Sequence, residues 1–285
     1  MYTLLITAAE LQTLQAQGTP CAVLDCSFDL MKPELTDGFF TTERIAGALP
    51  AHMDKNLSTH QPGQAVNAGR HPLPQREIVA QWLGSLGIHN GMQIVVYDRN
   101  KSAYCGRLWW MLKWLGHDAV AVLDGGLQAW KDAGGALASG PSESVNAAQF
   151  DVKAPLRQLV LTDEVLTSLG RPGQTIVDAR AGARYRGEVE PLDPVAGHIP
   201  GALNRPFVEN FTEDGRFKKP EQLKAEWGRV LAGRPANSVV HHCGSGVTAV
   251  PNLMAMELAG FGPTALYAGS WSEWCRTPGL PCAKG

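Results

Sequence analysis

Nowhere in the 285 residues do 18 apolar side chains follow one another, so the sequence predicts no membrane-spanning helix. Residues 1–10 carry no Lys or Arg and no apolar run of leader length, which predicts a cytoplasmic protein. Cysteine is sparse and unpaired in pattern: Cys21, Cys26, Cys105, Cys243, Cys275 and Cys282 form no Cys-x-x-Cys, so neither a zinc knuckle nor a disulfide framework is indicated. An excess of basic charge is also missing. With a net charge of −2 there is no electrostatic reason to expect nucleic acid or an anionic membrane as partner. What remains is ordinary globular composition, 44% hydrophobic and 18% charged.

The length suits two domains, and the sequence repeats itself. At an offset of 144, Val95-Val96 lies over Val239-Val240, Gly116 over Gly260, Ala121 over Ala265, Gly125 over Gly269 and Trp130 over Trp274. Upstream, Val23-Leu24-Asp25 matches Ile176-Val177-Asp178 and Gly47-Ala48-Leu49 matches Gly201-Ala202-Leu203, at offsets of 153 and 154. The drop in offset from 154 to 144 gives the first half about ten extra residues, assigned to the Pro-, His- and Gly-rich segment 54–74, which reads as a long surface loop.

Short β-branched runs alternate with helical ones in each half. Strands are expected at 22–25, 94–97 and 119–123, then at 175–178, 238–242 and 264–267; helices at 8–17, 75–86, 106–115 and 126–133, then at 163–169, 220–231 and 248–259, with a turn at 270–274. That alternation predicts an α/β fold built twice, each half a mainly parallel sheet with helices on both faces. A Ser-, Ala- and Pro-bearing stretch of low periodicity divides them: domain 1–139, linker 140–154, domain 155–285.

The chemistry concentrates at residues 238–250, where an apolar run ends in His241-His242-Cys243 and Gly244-Ser245-Gly246 precedes a helix closed by Gly260. A thiol at a strand-to-helix turn meets unpartnered amide N–H groups and the positive end of a helix dipole, which favour thiolate and bound anion alike. Glycines let successive N–H groups curl toward one sulfur. Cys243 is therefore the expected nucleophile. The same offset puts Arg99 at this place in the first half, which leaves that half without a nucleophile.

The duplicated halves, the Gly-His-Ile-Pro-Gly-Ala motif at 197–202, the cysteine loop, Asp124-Gly125-Gly126-Leu127, Trp109-Trp110-Met111 and the Gly-Ser-Trp-x-Glu-Trp close at 269–274 resemble the tandem rhodanese-type sulfurtransferases. The loop Cys243-Gly244-Ser245-Gly246-Val247-Thr248 is most similar to the 3-mercaptopyruvate branch of that family. The resemblance implies two rhodanese-like domains and no cofactor. It implies that Cys243 takes sulfur from a small-molecule donor as a persulfide and passes it to cyanide, a thiol or a thioredoxin-like protein, with Gly244, Gly246, Val247 and Thr248 supplying amides. Arg184 aligns with a family arginine that binds the donor carboxylate, a role suited to a planar fork of donors, and Arg186 stands close by.

Two positions depart from the family. Leu192 follows Glu190-Pro191 where an arginine is usual, and Arg44 replaces a histidine of a Ser-His-Asp relay with the loop serine. Arg44 is thus a candidate second cationic contact, and Ser245 a candidate catalytic hydroxyl. A thiosulfate donor is the alternative, disfavoured because the loop has no cationic side chain for a dianion. A non-catalytic binding module is a lesser reading. A cysteine phosphatase would want an arginine six residues past the nucleophile, where Ala249 stands. His241 and His242 are read as structural, since neighbours on a strand face opposite ways. Asp178 with Arg180, His198, Trp271, Trp274 and Trp109-Trp110 are also read as structural.

Overall fold

The computed structural model describes residues 1–142 and 145–285; Glu143 and Ser144, inside the expected linker, lie outside the described residues. The chain divides into two compact units. The first comprises Met1–Gln64, Pro74–Leu156 and Glu213–Arg216, the second Ala65–Leu73, Arg157–Thr212 and Phe217–Gly285. Two expectations are corrected here. The stretch expected as a linker belongs to the first unit, because its backbone is bonded there: Ala148 N–H donates to the Gly84 carbonyl at 2.8 Å and Lys153 N–H to that of Leu115 at 2.9 Å. And residues 65–73, read as part of a surface loop of the first half, belong to the second unit.

The first unit contains strands β1 (Leu5–Ile6), β2 (Cys21–Asp25), β3 (Arg44–Ile45), β4 (Leu49–Pro50), β5 (Gln93–Tyr97), β6 (Val120–Leu123) and β7 (Leu137–Ala138), with helices α1 (Ala8–Ala16), α2 (Thr36–Thr42), α3 (Arg76–Ser85), α4 (Cys105–Trp114) and α5 (Gly126–Asp132). The capping box that opens α1 was written in the sequence as Thr7-x-x-Glu10, and each side chain accepts from the other's backbone. Five strands form one parallel sheet in the order β1-β6-β5-β2-β4, while β3 and β7 pair as a short antiparallel ribbon. β5 and β6 are buried along their whole length, which is what unbroken runs such as Ile94-Val95-Val96 demand.

The second unit repeats the plan with β8 (Leu159–Val160), β9 (Thr175–Asp178), β10 (Leu203–Asn204), β11 (Val239–His242) and β12 (Ala265–Tyr267), and helices α6 (Thr162–Thr167), α7 (Gly182–Tyr185), α8 (Pro220–Leu231), α9 (Val250–Leu258) and α10 (Ser270–Trp274). Its sheet runs β8-β12-β11-β9-β10, all parallel, which is the first unit's order strand for strand. The duplication read from the sequence is therefore a duplication of topology. Trp271 and Trp274 lie fully buried in this unit's core with Ile176, Val240 and Tyr267, as expected. Trp109 and Trp110 are equally buried in the first unit.

Candidate active site

β11 is central in its sheet, flanked by β9 and β12, and its carboxyl end is where a parallel α/β sheet presents ligands. The chain leaves the strand at Cys243, whose N–H donates to Ser270 Oγ at 3.1 Å. The first amides of α10 then take the loop's carbonyls: Trp271 N–H bonds the Cys243 oxygen at 3.0 Å and Ser272 N–H the Gly244 oxygen at 2.8 Å. In a trans peptide the C=O and the following N–H point opposite ways. Anchoring those two oxygens on α10 therefore turns the Gly244 and Ser245 N–H groups away from it. Gly246 holds φ +71°, and a Cβ there would meet the Ala268 oxygen at 2.2 Å, so only glycine can make the turn. Cys243, Ser245 and Val247 are buried in this loop, Thr248 half-buried, and α9 begins at Val250.

Beneath the loop lies a charge network. Asp178 at the end of β9 takes the Arg180 guanidinium in a fork, with Nη2 at 2.6 Å, and Arg180 reaches on to Glu190 at 3.3 Å and lies over the Trp271 ring, 4.8 Å from its centroid. Burial pushes the Asp178 carboxyl up, but His242 and Arg180 outweigh it and hold its pKa below the ordinary value. Asp178 and Arg180 thus pair at the strand end, as the sequence predicted. His242 donates its Nδ1–H to the Cys243 carbonyl at 3.1 Å, and burial keeps the ring below its usual pKa despite Asp178. His198 stacks on Tyr185 and bonds that residue's carbonyl.

His241 turns the other way, into the core against the Trp227 ring, and neither ring nitrogen has a hydrogen-bond partner among the described residues. Burial pulls its pKa down to about 3. The unfolded chain takes up this proton near pH 6.5 and the folded one resists it, so stability falls on acidification by about 1.4 kcal/mol per pH unit between those values. Replacing His241 with Leu is expected to flatten that dependence. Urea midpoints at pH 7.5 and 5.0 should draw together in the variant, and an unchanged gap would show that this ring does not set the acid response.

The sequence missed two residues that the structure brings to the loop. Segment 65–73 docks on α10, with Ala68 N–H on Glu273 Oε2 at 3.0 Å and Arg70 N–H on Ser272 Oγ at 3.0 Å. It thereby delivers His71, whose Nδ1 lies 2.7 Å from Ser245 Oγ in a buried pair. The sequence places Arg44 where the family's histidine partner of the loop serine is expected; in the structure the partner of Ser245 is His71. Arg70 arrives with it. A Cβ placed on Gly244 would lie 2.8 Å from an Arg70 terminal nitrogen and 3.5 Å from one of Arg184, so the two guanidinium groups converge beside the residue that follows Cys243.

Arg184 is steadied by Glu190 at 2.6 Å and by Asp193 at 3.4 Å, Arg70 by Asp193 at 2.8 Å. The other expected cations go elsewhere. Arg186 makes an exposed ion pair with Glu188. Arg44 belongs to the first unit, where its fork donates to the Gly140 and Pro141 carbonyls at 2.6 and 2.8 Å and stacks on Phe40. With those donors satisfied by backbone, it is corrected from a donor contact to a structural clamp. The signal that could have flagged Arg70 and His71 was the insertion itself, an Arg-His-Pro run present in one repeat and absent from the other.

Strand register also corrects the match to the first unit. Asp25 faces Tyr97 across β2 and β5, whereas Asp178 faces His242 across β9 and β11. Tyr97 therefore corresponds to His242, and the counterpart of Cys243 is Asp98, one residue before Arg99. Its carboxylate accepts four backbone N–H groups, from Asn100, Ser102, Tyr104 and Cys105, at 2.8, 3.1, 2.8 and 2.9 Å.

Comparison with known proteins agrees with this geometry. The rhodanese-like domain model matches twice, over residues 7–133 and 161–277. The chain belongs to the rhodanese-like family. It is 46% identical to a protein of Pseudomonas aeruginosa named as a probable 3-mercaptopyruvate sulfurtransferase, over 92% of each chain. It is also 39% identical to the thiosulfate sulfurtransferase of Bos taurus, over 71% of this chain and 69% of the other. The solved 3-mercaptopyruvate sulfurtransferase from Leishmania major superposes with a TM-score of 0.82 at 31% identity, covering 95% of this chain and 74% of that one. This rhodanese-like protein is thus an enzyme, a sulfurtransferase, and no helix among its described residues is long and apolar enough to cross a membrane.

Proposed function

We propose that the chain moves sulfane sulfur from 3-mercaptopyruvate through a persulfide on Cys243 to cyanide, a small thiol or a thioredoxin-like protein, in the cytoplasm. The observation that carries the choice of donor is the hydrogen-bonded Ser245–His71 pair beside the nucleophile. Attack of the Cys243 thiolate on the donor's thiol sulfur forms the S–S bond and breaks the C–S bond. The electron pair leaves on carbon as the enolate of pyruvate, which must collect a proton. A buried hydroxyl paired with an imidazole delivers one. Thiosulfate would leave as sulfite, which needs none, so a proton relay would be idle with that donor.

Arg184 and Arg70 hold the donor's carboxylate, and the loop amides from Gly244 to Thr248 spread the charge on sulfur. In the second half-reaction cyanide attacks the outer sulfur, leaves as thiocyanate and restores the thiolate. Six unpaired cysteines suit the reducing compartment this chemistry needs.

The test of the clamp is steady-state transfer to cyanide with each donor. Arg184→Met and Arg70→Met are each expected to lower kcat/KM for mercaptopyruvate by about 10- to 100-fold, the worth of a charge-assisted hydrogen bond, chiefly through KM. An unchanged KM in both variants would remove these arginines from donor binding.

A further inference from the structure

The donor site carries an internal carboxylate that competes for its own clamp. Asp193 has its side chain wholly buried, and one of its oxygens accepts from both Arg70 at 2.8 Å and Arg276 at 2.7 Å, while the other lies 3.4 Å from Arg184. Its place is fixed by the turn beneath it. Glu190 Oε1 accepts the Leu192 and Asp193 N–H groups at 3.0 and 3.2 Å while also taking Arg184. Two residues of one turn thus lower the charge facing the donor. Leu192 stands where the resembled family carries an arginine, and Asp193 adds an anion next to it.

Counting the groups linked by these ion pairs gives four arginines, Arg70, Arg180, Arg184 and Arg276, against three carboxylates, Asp178, Glu190 and Asp193. One positive charge is left, and the thiolate of Cys243 consumes it. A donor therefore enters a site with no net charge. A monoanion with a single carboxylate brings one unbalanced charge, met by local hydrogen bonds, whereas a dianion brings two. In a site partly shielded from water, one unbalanced unit charge is worth at least a factor of ten in binding.

We infer that Asp193, through its hold on Arg70 and Arg184, is a specificity-determining residue that tunes this site to monoanionic α-keto thiol donors and against thiosulfate. The inference rests on the proposed role of the two arginines in binding the donor.

The experiment is a charge series read as the ratio of kcat/KM for thiosulfate over mercaptopyruvate. Asp193→Asn and Leu192→Arg each raise the charge of this turn by one, the second with the Asp193 carboxylate kept, and each is expected to raise the ratio about tenfold. Arg276→Met, at a half-exposed position, lowers the site by one charge and is expected to lower the ratio by a similar factor. Added salt should shrink all three shifts. Ratios that follow site charge support the inference. If Asp193→Asn and Leu192→Arg remain folded and active while the ratio stays at the wild-type value, the inference is overturned. The underlying reading fails separately, through an unchanged KM in Arg184→Met and Arg70→Met.

Discussion

Cys243→Ser is expected to reduce sulfur transfer at least a thousandfold with every donor, and to leave a protein that no longer gains the mass of one sulfur atom when incubated with mercaptopyruvate. The exchange alters one atom in a closely fitted place. Cys243 is 1% exposed, its amide is held by Ser270 and its carbonyl by Trp271, and serine occupies less space there than cysteine. The thermal midpoint should therefore stay near that of the parent, and the loss is chemical. An alkoxide is far costlier to form than a thiolate, and oxygen makes no stable analogue of the persulfide. Retention of cyanide-dependent thiocyanate production by the serine variant would place the sulfur carrier elsewhere, among Cys275, Cys282 or the thiols of the first unit.

In the first unit the counterpart of the Cys243 loop is arranged differently. A cavity of about 440 Å³ persists beside its counterpart loop, lined among others by Asp98, Arg99 and Lys131. The backbone there still gathers N–H groups around one point, but the point is filled from within. Asp98 supplies the anion, and the four amides it collects are committed to it. Arg99, next in sequence, turns to the Glu43 and Phe39 carbonyls and lies 3.8 Å from Asp25. In the second unit Arg180 forks directly onto Asp178, whereas in the first unit Ser27 stands two residues after Asp25 and Arg99 approaches that aspartate from the next strand instead. The cation was kept and its address changed.

Much of this was legible because it is local or periodic. The strands around Val95 and Val240, the helices and the place of Cys243 at a strand-to-helix turn follow from apolar runs, glycine placement and a repeat that any register shift would blur. Arg184 and Ser245, singled out from the motifs that contain them, do lie beside Cys243 in the structure. What escaped depended on where a loop goes. Residues 65–73 carry no periodic signal, and their attachment to the second unit rests on Glu273 and Ser272, whose side chains accept two of the segment's amides. A constant offset could not show that β5 and β11 are out of step by one residue, since Asp98 and Arg99 are equally polar. Nor could it show that Arg44 spends its fork on the Gly140 and Pro141 carbonyls, because backbone partners leave no trace in composition.

His71→Asn separates the two donors. With mercaptopyruvate the variant is expected to lose about 10²- to 10⁴-fold in kcat, the usual contribution of a positioned proton donor, because the pyruvate enolate then leaves without one. With thiosulfate, whose sulfite leaving group takes no proton, kcat should fall by less than about tenfold. Discharge of a preformed Cys243 persulfide by cyanide should match the wild type, since that step also needs no proton from the enzyme. Ser245→Ala breaks the same 2.7 Å pair from its other end. Its effect should resemble that of His71→Asn, and the double variant should be scarcely slower than either alone, as for residues that act as one unit. Equal losses with both donors would mean that the pair shapes the loop and donates no proton. A loss confined to mercaptopyruvate ties the relay to enolate protonation, and with it the choice of donor to a histidine borne on a loop that only one half of the duplicated sequence possesses.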